Sequence, residues 1–242
     1  VRPPAEQRRI LMDYVNSGVP CVVMCWGLAP LPVLLELAES QGVPMFTSLK
    51  PTGTFIRDLE EFLVDAMAPT EECHGVLVQV HDLGILIRGT SGIGKSETAL
   101  ELVLRGHRMV ADDLVRLTRS GDEIVGTGVP LLGQYVEVRG LGILHAGDLF
   151  GQAAVVDSVR LELVIELVGW DDAAESDRSG LEDLKVDCLG LDIPHILLPV
   201  RPGRNIATII EIAARNQILR KRGVNSAKRY ESLLLQHLQS ED

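Results

Sequence analysis

Gly89-Thr90-Ser91-Gly92-Ile93-Gly94-Lys95-Ser96 satisfies every fixed position of G-x-x-x-x-G-K-[ST], the loop whose backbone N–H groups cradle phosphates. In that chemistry the lysine, Lys95, reaches the β- and γ-phosphates of a nucleotide, and the hydroxyl of Ser96 faces Mg²⁺. A plain turn between strand and helix has no use for three glycines at this spacing followed by Lys-Ser. Downstream, His107 to Asp113 (HRMVADD) reads as a short apolar strand ending in two carboxylates. Phosphoryl-transfer enzymes place a metal-binding or water-positioning acid at such a strand end, although a hydrophilic turn would look the same. Neighbouring residues of a strand point to opposite faces, so one of Asp112 and Asp113 is expected to face the phosphates, and the pattern leaves open which.

Three further groups could take part in anion or metal chemistry. Glu137 lies on a strand with Arg139 and could be a second carboxylate for Mg²⁺, which takes one or two acids plus phosphate oxygens. The alternative is an exposed Glu137–Arg139 ion pair, worth under about 1 kcal/mol. Arg201-Pro202-Gly203-Arg204 holds two guanidinium forks on a Pro-Gly turn, suited to a free phosphate or a phosphoserine, or else caps the following helix. His74 stands alone at the start of a strand, where a structural role competes with a catalytic one.

The elements that must position these residues follow from hydrophobic spacing. Leu83 to Ile87 leads into the glycine loop as a strand, and Glu97 to Arg105 leads out with apolar residues at helical spacing. That order is what converges loop amides and a helix N-terminus on one anion. Upstream, Pro3–Asn16, Leu31–Ser40 and Thr52–Met67 are expected helices, and Val19–Trp26 and Val43–Thr47 expected parallel strands. They make a small α/β unit, residues 1–68, closed by Pro69 and read as a packing or assembly domain. The remainder, 69–242, carries the loop. It contains expected strands at Cys73–Val80, His107–Asp113 and Val159–Val168, and a hairpin joining Leu114–Thr118 to Glu123–Thr127, and His195–Val200 leads into the Arg201–Arg204 turn. Helices at Asn205–Lys221 and Ala227–Leu238 follow.

Composition narrows the class. A net charge of −11 over 242 residues argues against general nucleic-acid binding, although Arg201 to Tyr230 holds eight basic residues and one acidic. That stretch could dock a protein substrate or simply be a solvated helix face. No stretch approaches the roughly 18 uncharged apolar residues of a membrane span. Cys21, Cys25, Cys73 and Cys188 lack the paired spacing of a zinc site and are expected reduced, in a cytoplasmic protein. The chain begins at Val1 and is expected to lack the start of its first domain.

Taken together, the loop GTSGIGKSE, then ELVLRGHRMVADD, then EVRGLGI, then PVRPGRN resemble the HPr kinase/phosphorylase family of bacterial carbohydrate regulators. The likeness runs from about Cys21 to the C-terminal helix. It implies an α/β fold in which a P-loop kinase core similar to phosphoenolpyruvate carboxykinase follows a smaller, here incomplete, N-terminal domain. It also implies phosphorylation of a serine of the phosphocarrier protein HPr with ATP or pyrophosphate, reversal by inorganic phosphate, and a homohexamer. By the same resemblance His74 and Lys95 are catalytic-site residues, and Ser96 and Glu137 are Mg²⁺ ligands. Asp113 is the base toward serine and the acid in reverse. Arg178 is the active-site arginine, and Pro199 to Arg204, with Arg201, Gly203 and Arg204, is the dephosphorylation loop. The chain departs from the family at Ser176 and Ser179, where Tyr and Leu are usual, and at His145, where Asn or Asp is usual. Two other readings are a small-molecule kinase with the same loop and a nucleotide-sensing module without turnover.

Overall fold

The structure, a computed structural model, describes residues 3–129, 133–138, 140–170 and 184–240. The chain divides into two compact units, Val1–Met67 and Ala68–Asp242.

In the first unit α1 (Pro4–Val15) and α2 (Pro32–Ser40) each carry proline in the first turn, where its missing N–H costs nothing. β1 (Val22–Met24) pairs parallel with β2 (Met45–Thr47), and α3 (Thr52–Ala66) closes the unit. Val15, Val22, Leu34 and Leu37 form its core. The strand expected over Val19–Trp26 is only three residues long. Trp26 takes a φ of 62°, and its N–H donates to Lys50 O at 3.0 Å, so the chain leaves the strand direction there. The turn at Lys50-Pro51-Thr52 is tied down by an exposed Lys50–Asp58 ion pair of 2.6 Å.

The second unit begins with β3 (Thr70–His74), β4 (Val76–Val80), β5 (Leu83–Gly89), α4 (Lys95–Leu104) and β6 (Arg108–Ala111). β7 (Leu114–Ser120) and β8 (Glu123–Gly128) form a hairpin, as do β9 (Tyr135–Val138) and β10 (Gly142–His145). α5 (Ala146–Phe150), β11 (Ser158–Gly169), β12 (Lys185–Cys188), β13 (Leu191–Val200), α6 (Ile206–Lys221) and α7 (Ser226–Ser240) complete it. Among the described residues the large sheet runs β3-β7-β8-β11-β5-β4-β6, with β13 also on β11 and β12 on β13. β11 is parallel to both β5 and β13, while β4 is antiparallel to β5 and to β6. β5, β6, β11 and β13 therefore all end at one edge of the sheet. Ligands of α/β folds gather at that carboxyl edge.

Both sheet faces are covered. Val76, Val78 and Val80 of β4 and Ile85 and Ile87 of β5 share a cluster with Leu102 of α4 and Ile210 of α6. The intervening Leu77 and Leu86 join Val115, Leu117 and Val164 on the other side. This is the two-residue alternation of strands with both faces buried. In β11 Leu161 and Leu163 fall into different clusters although they are two residues apart, because the register with β5 shifts between them. The single strand expected over Cys73–Val80 is instead two. β3 pairs with β7, and β4 with β5 and β6. The break is at Gly75, whose N–H donates to Asp113 O at 3.0 Å rather than to a ladder partner. A Cβ there would stand 2.8 Å from Ile87 O.

Candidate functional site

The carboxyl edge of the sheet holds a cleft of about 360 Å³ lined by Ser91, Gly92, Gly94, Lys95 and Ser96 of the glycine loop, by Asp112 and Asp113, and by Tyr135, Glu137 and Ile143 of the β9–β10 hairpin. Gly89, at the end of β5, has φ 142°, and a Cβ there would lie 2.6 Å from Leu167 O. Gly94 has φ 102° immediately before α4, a conformation that L side chains avoid. With these angles the loop passes over the N-terminus of α4, where unpaired amides and the helix dipole favour an anion. Thr90 and Ile93 are part of the same turn, with the Ile93 N–H donating to Thr90 O at 3.3 Å. Lys95 Nζ donates to Gly89 O at 2.9 Å and to Thr90 O at 3.1 Å, so the ammonium lies over the loop.

The two acids after β6 have separate environments. Asp112 is 7% exposed and accepts the Ser96 hydroxyl at 2.8 Å. Burial pushes its carboxyl above the ordinary range, opposed by the Ser96 hydroxyl and the backbone N–H groups of Asp113 and Glu137. Asp113 takes a φ of 69°, and its side chain is 88% exposed, with Oδ1 3.7 Å from His74 Nδ1. The expectation that adjacent acids point apart, only one toward the cleft, is corrected: both line it. The strand ends at Ala111, and the left-handed residue at 113 cancels the alternation. Asp can adopt that conformation at a cost on the order of 1 kcal/mol.

Ser96, Asp112 and Glu137 thus place a hydroxyl and two carboxylates on one cleft, a hard-oxygen set that fits Mg²⁺. Asp112 was the acid that the sequence pattern could not separate from its neighbour. The signal was present, an apolar strand ending in Asp beside a phosphate loop. Glu137 and Tyr135 enter because β9 pairs with β10, with Ile143 opposite Glu137. His145 closes that hairpin, its Nδ1 accepting the Asp148 N–H at 3.2 Å as the cap of α5.

The second basic turn stands apart. Val200 ends β13 opposite Gly169, and Gly89 lies opposite Leu167 in the neighbouring pair, so both turns leave the sheet at nearly the same level. With strands about 4.8 Å apart, two strand spacings put them roughly 10 Å apart laterally. Arg204 donates to Pro199 O at 2.7 Å, and the Arg201 guanidinium lies 4.6 Å from the Trp170 ring centroid. Gly203 takes φ 83° between them. None of the three lines the cleft. Arg178 and Arg139 lie outside the described residues.

Comparison with known proteins places these features in one lineage. Residues 2–63 match the model of the HPr serine kinase N terminus and residues 65–233 that of the HPr serine kinase C-terminal domain. The chain is 43% identical over 232 residues to an HPr kinase/phosphorylase of Geobacillus thermodenitrificans, covering 96% of this chain and 75% of the relative. It is 42% identical over 238 residues to one of Geobacter sulfurreducens, with 97% and 75% covered. The solved HPr(Ser) kinase/phosphatase of Coxiella burnetii matches with a TM-score of 0.60 and 33% identity, over 66% of this chain and 98% of that one. The chain spans about three quarters of the length of the curated relatives. With family matches over nearly its whole length and this fold, the chain belongs to the HPr serine kinase family.

Proposed function

We propose that the chain phosphorylates a serine of the phosphocarrier protein HPr with ATP or pyrophosphate and removes that phosphate by phosphorolysis. The observation that carries this reading is Asp113, an exposed carboxylate at the rim of a phosphate-loop cleft. A small-molecule kinase would enclose its acceptor, whereas an exposed acid can meet a serine presented on another protein's surface.

In the forward direction Asp113 takes the serine proton as the oxygen attacks the terminal phosphorus and the bond to the leaving group breaks, releasing ADP from ATP or inorganic phosphate from pyrophosphate. In the reverse direction an oxygen of inorganic phosphate attacks the phosphoserine phosphorus. The serine oxygen then leaves with the proton that Asp113 returns, and pyrophosphate is released. One acid can therefore serve both reactions, and such positioned groups contribute about 10²–10⁴ in rate. Lys95 and the loop amides neutralise the transferring group. Ser96, Asp112 and Glu137 would hold Mg²⁺, which would supply charge neutralisation on the phosphates. His74 orients Asp113 or phosphate, Arg178 is the active-site arginine, and Arg201, Gly203 and Arg204 belong to the phosphorylase side of the reaction. The family resemblance supports a homohexamer working in the cytoplasm, and no described helix is long and apolar enough to cross a membrane.

The test is incubation with Mg-ATP and purified HPr, with phosphate mapped before and after adding excess inorganic phosphate. Phosphoserine that appears and then disappears with release of pyrophosphate is expected. HPr left unmodified while ATP binds would overturn the proposal.

A further inference from the structure

Three side chains of metal-ligating type converge at the edge of the sheet opposite the cleft. His81 sits in the turn between β4 and β5, His107 immediately precedes β6, and Glu211 lies on α6. One ligand atom from each falls within 4.8 Å of the others. The two imidazole rings meet edge to face at 4.8 Å between centroids, and His107 is 8% exposed. β5 separates this group from the phosphate loop, and its seven residues span roughly 20 Å at the usual strand rise. The group is therefore independent of the nucleotide-bound metal.

We propose that His81, His107 and Glu211 bind a zinc ion. Two imidazoles, one carboxylate and an open fourth position make a donor set that zinc takes. The hydrogen bonds show where the lone pairs are. Arg215 Nε donates to His81 Nε2 at 3.1 Å, so that nitrogen is unprotonated and its lone pair is held by Arg215 until a cation displaces the guanidinium. His107 Nε2 lies 2.9 Å from Glu211 Oε1, and since a carboxylate only accepts, this nitrogen carries the proton. A dication takes the place of that proton when the imidazole shifts its hydrogen to Nδ1. Glu211 keeps its second oxygen on Arg105, 2.7 Å away, so the ligating carboxylate is oriented by an outer partner as metal ligands are.

Zinc bonds of about 2.0–2.2 Å place tetrahedral ligand atoms roughly 3.3 Å apart, so on binding the 2.9 Å His107–Glu211 pair opens slightly while separations of up to 4.8 Å contract. His81 can supply that motion because it sits in a tight turn rather than in a strand. Arg215 is exposed and must swing out, while Arg105 stays. Both guanidinium groups oppose a cation. Binding is therefore weaker than at a dedicated zinc site and tightens when Arg215 is removed.

The experiment titrates the full chain with Zn²⁺ in saturating Mg²⁺ by equilibrium dialysis, and repeats it with Co²⁺ to read the visible absorption. The expected result is one ion per chain with the absorption of tetrahedral Co²⁺, lost in His81→Gln and in Glu211→Gln, and bound severalfold more tightly in Arg215→Ala. Zn²⁺ should raise the melting temperature of the wild type and leave that of His81→Gln unchanged. His81→Gln alters a partly exposed turn and keeps the test decisive if Glu211→Gln fails to fold. Absence of binding, or binding unchanged in His81→Gln or in Arg215→Ala, would overturn the proposal.

Discussion

The turns that follow β5 and β13 leave the same edge of the sheet, and both are basic, yet they are built differently. After β5 the groups proposed to bind an anion are backbone amides held by glycine angles and the start of α4, with one lysine above them. After β13 they are two guanidinium groups, one spent on Pro199 O and the other stacked on Trp170. A site made of backbone exists whenever the fold exists. A site made of arginines must first release them, so its contribution can be confined to one direction of a reversible reaction.

Breaking the shared side should give the largest effects. Asp113→Asn is expected to lower both kinase and phosphorylase rates by about 10²–10⁴, measured as phosphoserine formed and pyrophosphate released. Retention of either activity would remove Asp113 from the mechanism. Lys95→Met should cost about 10²–10³ in both directions, the usual loss for one preorganised charge-stabilising donor, and steady-state rates would show whether the two fall together. Arg204→Ala sharpens the contrast. A lost charge-assisted hydrogen bond of about 1.5–3 kcal/mol corresponds to roughly 10–100-fold, expected in phosphorolysis and not in the kinase reaction.

What could be read from the sequence follows the range of the interactions involved. The loop, β5 and α4 were legible because glycine spacing and helical periodicity are local signals. β3 and β4 were not separated, since CHGVLVQV alternates smoothly and only the pairing of its halves with distant strands shows that Gly75 breaks it. Asp112 and Asp113 could not be told apart because the deciding fact is one left-handed φ angle, stabilised by the contact of Gly75 with Asp113 O. The partners of Arg201 and Arg204 and the meeting of His81, His107 and Glu211 depend on the folded sheet. No spacing of those residues along the chain announces them.

Smaller effects concern how the β13 turn is anchored. Asn205 caps α6 by accepting the Thr208 N–H at 2.7 Å and donates to Glu101 at 2.7 Å, tying the turn to α4. Asn205→Ala should cost about 1 kcal/mol in denaturant melts, the ordinary price of a cap, and shift phosphorolysis more than phosphorylation. The same clasp should weaken in acid. The hydrogen bond from Asn205 holds the carboxyl of Glu101 below its ordinary value of 4.5, and the hydrogen bond from His107 does the same for Glu211. A carboxyl lowered on folding contributes stability above its unfolded pKa, and that stability is lost as pH falls through the folded value. Melts in chelator from neutrality to below pH 4.5 should show a small loss that Asn205→Ala reduces.

The most direct measurement compares the phosphorylase-to-kinase ratio of Asp113→Asn and Arg204→Ala on the same HPr preparation. The expected result is an unchanged ratio at greatly reduced rates for the first, and a lowered ratio at nearly normal kinase rate for the second. A ratio displaced by Asp113→Asn, or left untouched by Arg204→Ala, would contradict the division of labour between the two turns.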